Sequence, residues 1–192
     1  ANEILSLLIE AEGLELSETE LLHQCIFMLN AGHETSTNML SHGLNELINH
    51  RDQYKLLQTE PKRIEKAIDE ILRFQPPIQI NNRRCLETAM IGEVRIPKGT
   101  PVHMIIAGAN RDPLQFFEPE IFDISRSPNR HLSFGLGIHI CAGINLARLE
   151  AKVAFLSLMS SFKEINLSQK PKIANRIRFR EIKEMKVEVS SL

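Results

Sequence analysis

The chain has 192 residues, 43% of them hydrophobic and 24% charged, and a formal net charge of −1. That length supports one domain over residues 1–192 with a substantial core. The balanced charge excludes the electrostatic footprint of a nucleic-acid binder or of a protein drawn to an anionic membrane. Three cysteines, Cys25, Cys85 and Cys141, are too few and too odd in number for a disulfide framework, and no apolar run approaches the ~20 residues of a membrane helix. The sequence from Ala1 onward lacks the basic-then-apolar pattern of a signal peptide. A reducing, cytoplasmic setting is expected, with no nucleic acid and no membrane as partner.

The first strong element opens at Ser17-Glu18-Thr19-Glu20, where Ser17 can cap a helix and Glu20 can reach back to it. Apolar spacing from Leu21 to Ile48 predicts a helix over about 18–49, roughly 48 Å long at 1.5 Å per residue. Such a helix should cross the interior of something larger than a small domain. Within it lies Ala31-Gly32-His33-Glu34-Thr35-Ser36, and a helix-interior glycine costs about 1 kcal/mol against alanine, so Gly32 needs a reason. An amphipathic stretch follows at about 51–58. Pro61 then marks the first turn of a helix over about 61–74, stopped by Pro76-Pro77.

From about 78 to 106 the pattern turns to short strands, with Gly92-Glu93 and Pro97-Lys98-Gly99 as turns. Residues 110–131 hold Pro113, Pro119 and Pro128 and read as irregular. A second strong helix is expected from about Cys141 to Phe162, with Leu146, Leu149, Val153, Leu156 and Met159 along one side. The tail reads as a β-hairpin over about 173–190, its wet side carrying Arg176, Arg178 and Arg180. The fold class that emerges is mainly α with small β-sheets.

The stretch with the most chemistry is Phe134-Gly135-Leu136-Gly137-Ile138-His139-Ile140-Cys141-Ala142-Gly143. Gly135 and Gly137 let the backbone turn tightly and approach a flat partner. Cys141 is expected at the start of the following helix, where the dipole and free N–H groups favour a thiolate. Gly143 removes a side chain where a large partner would press, and Phe134 can shield the sulfur. A thiolate on a cleared platform suits one axial bond to a planar iron cofactor.

This stretch resembles the haem-binding signature of cytochromes P450, F-G-x-G-x-H-x-C-x-G, at six positions. Two further motifs follow the family's order. Ala31-Gly32-His33-Glu34-Thr35-Ser36 matches its A-G-x-[DE]-T-[ST], and Glu70-Ile71-Leu72-Arg73 matches its ExxR. The resemblance covers nearly the whole chain and implies the C-terminal half of the P450 fold, of the bacterial soluble type. By this resemblance the helix over 18–49 is the I helix, 61–74 the K helix, 134–143 the cysteine loop and 141–162 the L helix. Residues 1–16 would be the end of the preceding helix.

The resemblance also implies roles. Cys141 would bind the iron of haem b. Ala31 and Gly32 would leave room on the distal face, Thr35 would hydrogen-bond bound oxygen and Glu34 would relay protons. Arg83, in preference to Arg84, and His139 would meet the haem propionates. Glu70, Arg73 and Arg126 would brace the cysteine loop, although Ile121 stands where the family's Pro-Glu-Arg-Phe motif carries arginine. His131 is read as packing.

The implied activity is a monooxygenase that places one oxygen atom of O2 in a small apolar substrate. Electrons would come ultimately from NAD(P)H through a ferredoxin. Ile78, Gln79 and Ile80 would edge the pocket. The residues leave two other readings open. One is an incomplete fragment with weak or no haem binding, expected to expose apolar surface along its long helix. The other is a peroxygenase or haem-based isomerase, disfavoured because the Glu34–Thr35 pair is retained.

Overall fold

The computed structural model describes residues 3–13 and 15–191. A short helix α1 (Ile4–Glu10) precedes the long helix α2 (Glu18–Asn49). Ser17 caps α2 reciprocally: its Oγ accepts the Glu20 N–H at 3.3 Å, and Glu20 Oε2 accepts the Ser17 N–H at 2.9 Å. Helix α3 (Arg51–Thr59) follows, and a single 3₁₀ turn at Pro61–Arg63 leads into α4 (Ile64–Phe74).

The core forms where the second half of α2 meets α3, α4 and a later helix α6 (Ile144–Ser161). On α4 the buried residues Ile64, Ala67, Ile68, Ile71 and Leu72 repeat at helical spacing and present one apolar face. The two halves of α2 differ. Met39, Leu47 and Ile48 are buried, whereas Leu22, Ile26, Phe27 and Leu29 are all more than half exposed. The long helix therefore presents an open apolar face along its first half.

One glycine sets the distance between α2 and α6. A Cβ at Gly43 would lie 2.5 Å from Phe155 Cζ and 3.0 Å from two Ile71 carbons. No such crowding exists at Gly32, where a Cβ would meet nothing within 4 Å.

Four short strands and a single-turn helix follow α4: β1 (Ile80–Arg84), β2 (Ala89–Ile91), β3 (Val94–Ile96), β4 (Pro101–Ile105) and α5 (Ile106–Ala109). They form two antiparallel ribbons, β1 with β4 and β2 with β3, with Arg83 opposite Val102. In the chain, β1 and β4 enclose β2 and β3.

Three features differ from the expectations. Helix α6 begins at Ile144 with Gly143 as its N-cap, so Cys141 stands ahead of the helix and not in its first turn. The Cys141 N–H closes the preceding loop on the Phe134 carbonyl at 2.8 Å, and the helical ladder opens only at the Gly143 carbonyl, which accepts the Ala147 N–H at 2.9 Å. The apolar stripe of α6 also divides. Its core face is Ala147, Ala151 and Phe155, whereas Leu146, Leu149 and Val153 are more than half exposed.

The tail is the third. It is two nested ladders, β5 (Phe162–Leu167) with β8 (Val187–Ser191) outside β6 (Lys172–Ile173) with β7 (Ile182–Glu184). Strand β5 follows α6 without a loop. Its apolar residues Phe162, Ile165 and Leu167 stand three and then two apart, a spacing that in sequence suits neither a helix nor a strand alone. Arg176, Arg178 and Arg180 lie in the loop between β6 and β7, not on a strand.

Candidate functional site

The foundation of the site is an ion pair with no access to water. Glu70 and Arg73, one turn apart on α4, are both 0% exposed. Arg73 binds Glu70 with two prongs, Nε to Oε2 at 2.8 Å and Nη2 to Oε1 at 2.7 Å. A buried pair repays its desolvation only if every remaining donor and acceptor is satisfied. Here they are. Arg73 also donates to the carbonyls of Asn110, Pro119 and Ile121 at 2.8–3.0 Å. Glu70 accepts from the Asp123 N–H at 2.9 Å, Asn129 Nδ2 at 3.0 Å and Arg126 Nε at 3.2 Å.

Arg126 thus stands against Glu70. Ile121 contributes through its carbonyl, which accepts from both Arg73 and Arg126. The irregular segment 110–131 is held by these charge-assisted hydrogen bonds, which is why it needs no regular structure of its own.

The next layer carries the cysteine loop. Asn110, 0% exposed, accepts the Leu132 N–H at 2.8 Å and donates to Ser133 Oγ at 2.9 Å, while Ser133 donates to the Leu72 carbonyl at 2.7 Å. These bonds hang the loop on α4. In sequence, Asn110-Arg111-Asp112-Pro113 resembles the short post-strand turn of cytochromes P450, a likeness that gives Asn110 no role in the loop; its burial and bonds do. His131 packs as expected, its ring 5.9 Å from that of Phe134 and its Nε2 3.4 Å from Asp69 Oδ1. Burial pushes the Asp69 carboxyl up, but hydrogen bonds from His131 and Arg148 outweigh it, leaving the group below the ordinary carboxylate range.

Inside the loop, Gly135 and Gly137 have φ of +73° and +76°, a region that side-chain-bearing residues rarely adopt. The loop closes from the Gly135 N–H to the Leu132 carbonyl and from the Cys141 N–H to the Phe134 carbonyl, at 2.9 and 2.8 Å. Phe134 is half-buried, with the Arg148 guanidinium 5.3 Å from its ring centre. Cys141 is exposed and unbridged. A Cβ on Gly143 would sit 3.9 Å from its sulfur, in van der Waals contact with any group bound there. The surroundings are apolar and open: Leu136, Ile138 (96% exposed), Ile140, Leu146 and Leu149.

The other predicted residues are placed as follows. Ala31 and Gly32 lie on the open half of α2. The Thr35 hydroxyl donates to the Ala31 carbonyl at 2.6 Å. The Glu34 carboxylate accepts from Arg176 Nη1 at 2.9 Å. Arg84 donates to the Gly99 carbonyl of the turn before β4 at 3.2 Å, and Arg83 donates to the carbonyl of its neighbour Asn82 at 2.8 Å. Each of these exposed arginines makes one such bond to a backbone carbonyl. His139 is exposed at the end of the 3₁₀ turn Gly137–His139.

The sequence profile described as Cytochrome P450 matches residues 2–188. The chain belongs to the cytochrome P450 family. Among its relatives, the biotin biosynthesis cytochrome P450 of Bacillus subtilis (strain 168) is 40% identical over 167 residues, 86% of this chain and 42% of the relative. The 6-deoxyerythronolide B hydroxylase of Saccharopolyspora erythraea is 38% identical over 169 residues, again 86% of this chain and 42% of the relative.

The crystal structure of P450BioI in complex with a hexadec-9Z-enoic acid ligated acyl carrier protein superposes with a TM-score of 0.93 at 37% identity, covering 99% of this chain and 49% of that one. The chain thus spans about half the length of the P450s it matches and has the architecture of the C-terminal half of their fold.

The family implies haem, and the residues present fit it. A planar group ligated through Cys141 needs an accessible sulfur, no side chain at 143, backbone that turns away on either side, and apolar flanks. Each is in place. Among the described residues no helix is long and apolar enough to cross a membrane.

Proposed function

We propose that this chain supplies the haem-thiolate centre of a monooxygenase that places one oxygen atom of O2 in an apolar substrate. The observation that carries the reading is the exposed Cys141 thiol, held on a glycine loop that is anchored through Asn110 and Ser133 to the buried Glu70–Arg73–Arg126 cluster. Haem bound there supplies dioxygen activation, which a thiolate ligand assists by favouring O–O cleavage.

The protein's own part is positional and electrostatic. Cys141 would hold the cofactor through sulfur, and Phe134, set between His131 and Arg148, would shield that sulfur from water once the cofactor covers its other side. Arg83 and His139 pair with the two carboxylates of the cofactor, which would otherwise be left uncompensated. Ala31 and Gly32 leave room along α2, and the Thr35 Oγ1 holds a proton at that face, resupplied from Glu34. Ile78 bridges to Phe179 of the tail loop, so an apolar substrate would be edged by both segments. A ferredoxin-type donor, with NAD(P)H as the ultimate source, would supply electrons.

A second reading, a fragment that binds haem weakly or not at all, is favoured by the exposed apolar half of α2. One experiment separates them. The chain is reconstituted with haem, reduced and exposed to CO. The red-shifted Soret band of a thiolate-ligated ferrous–CO haem supports the first reading, provided that Cys141→Ala abolishes it. No haem uptake supports the second.

A further inference from the structure

We propose that Arg176 is a positioning residue that gates proton supply to Glu34, exchanging between Glu34 and Glu181 at the mouth of a water-holding cavity beside α2. The inference rests on the monooxygenase reading above. Arg176 lies in the β6–β7 loop, far from Glu34 in the chain, yet its Nη1 donates to Glu34 Oε1 at 2.9 Å. The same nitrogen stands 3.5 Å from Glu181 Oε2. One guanidinium therefore has two carboxylates within reach, and a small side-chain rotation moves it from one to the other. All three side chains are partly exposed, so neither pairing is strongly held.

The consequence lies in what Glu34 and Thr35 do meanwhile. With Arg176 on Glu34, the carboxylate faces the tail loop. The Thr35 hydroxyl is committed to the Ala31 carbonyl at 2.6 Å. Neither group is arranged to pass a proton to the other. Moving Arg176 onto Glu181 frees Glu34 to turn, and Glu181 prevents the guanidinium from being left without a counter-charge.

The cavity supplies the second half of the argument. It is an open cavity of about 290 Å³, lined by Asn30, His33, Glu34, Asn38, Arg176 and Glu181, among others. Asn38 is 1% exposed, and its amide Nδ2 has no hydrogen-bond partner in the protein. A buried amide donor of this kind is normally satisfied, and a polar cavity of this size has room for the water that does so. Water held by Asn38 beside Glu34 is the proton source. The step balances without redox change. Freed of Arg176, the Glu34 carboxylate takes up a proton relayed from bulk solvent through the cavity water. The carboxyl so formed passes that proton to Thr35 Oγ1 as the hydroxyl releases its own toward the reacting face, which returns Glu34 to the carboxylate that Arg176 pairs with.

The test pairs two measurements. On the haem-loaded protein, turnover and its solvent deuterium isotope effect are compared for E181Q, R176Q and the double variant, with E34Q and Thr35→Ala alongside. Removing the alternative acceptor in E181Q should lower kcat on the order of ten-fold, within the span of a general-acid contribution, with KM unchanged and a larger isotope effect. R176Q should restore both in the E181Q background.

On the haem-free chain, a double-mutant cycle in urea should couple Arg176 to Glu34 by about two-fold in the folding equilibrium, and by more when residue 181 is glutamine. An additive cycle, or one that E181Q leaves unchanged, overturns the exchange. So does an E181Q kcat that stays at the parent value or is not restored by R176Q. If E34Q and Thr35→Ala also leave the isotope effect unmoved, the relay reading fails and not the gate alone.

Discussion

Alanine at Gly32 should stabilise the protein and alanine at Gly43 should not, although both sites lie in the interior of the same helix. Removing a helix-interior glycine gains about 1 kcal/mol from lower backbone entropy in the unfolded chain. At Gly32 nothing opposes that gain, because a new Cβ meets no atom within 4 Å. At Gly43 the new methyl would lie 2.5 Å from Phe155 Cζ, and neither Phe155 nor Ile71 has room to move, both being buried. Overpacking of this kind costs about 1–3 kcal/mol, so Gly43→Ala should end up neutral to ~2 kcal/mol destabilised while Gly32→Ala is stabilised by ~1 kcal/mol.

Urea denaturation of the haem-free chain reads both midpoints. Phe155→Leu should relieve the clash, so the Gly43→Ala/Phe155→Leu pair should be more stable than the sum of its parts. A Gly43→Ala chain as stable as Gly32→Ala would refute the reasoning about how closely α2 and α6 approach.

Breaking the buried ion pair by Arg73→Met should cost about 3–5 kcal/mol, since Glu70 is left charged without its two-pronged partner. Arg73→Lys should not rescue it, because an ammonium cannot reproduce the fork; thermal unfolding measures both. Asn110→Ala should cost about 1–3 kcal/mol through the Leu132 N–H and Ser133 hydroxyl it abandons. It should also loosen the cysteine loop, read as faster amide exchange at Leu132 and Gly135.

Burial holds the His42 imidazole below its ordinary 6.5, more than the Arg180 carbonyl and Glu46 pull it back. The unfolded chain therefore takes up a proton below 6.5 that the folded chain refuses. This contribution to stability is complete above 6.5 and declines as pH falls from there toward the folded value. Urea midpoints across that range should slope in the parent chain and flatten in His42→Gln.

Much of the protein is settled over short distances along the chain. Ser17 and Glu20 start α2 from within one turn, Pro76-Pro77 ends α4, and the cysteine loop owes its shape to glycines at 135 and 137 and to hydrogen bonds spanning a few residues. Such features are readable because the residues that decide them are neighbours in sequence.

What only the folded chain decides lies where distant segments meet. Whether Arg126 reaches Glu70, why Asn110 is buried, why residue 43 must lack a side chain, and which carboxylate Arg176 faces are questions about partners far apart in the chain, several of them in segments with no periodicity. The Phe162–Leu167 strand belongs with them: its apolar spacing suits neither a helix nor a strand alone, and pairing with Val187–Ser191 makes it a strand. Local propensity cannot choose among such partners, because the free energy that chooses comes from burial and charge pairing available only once the helices have packed.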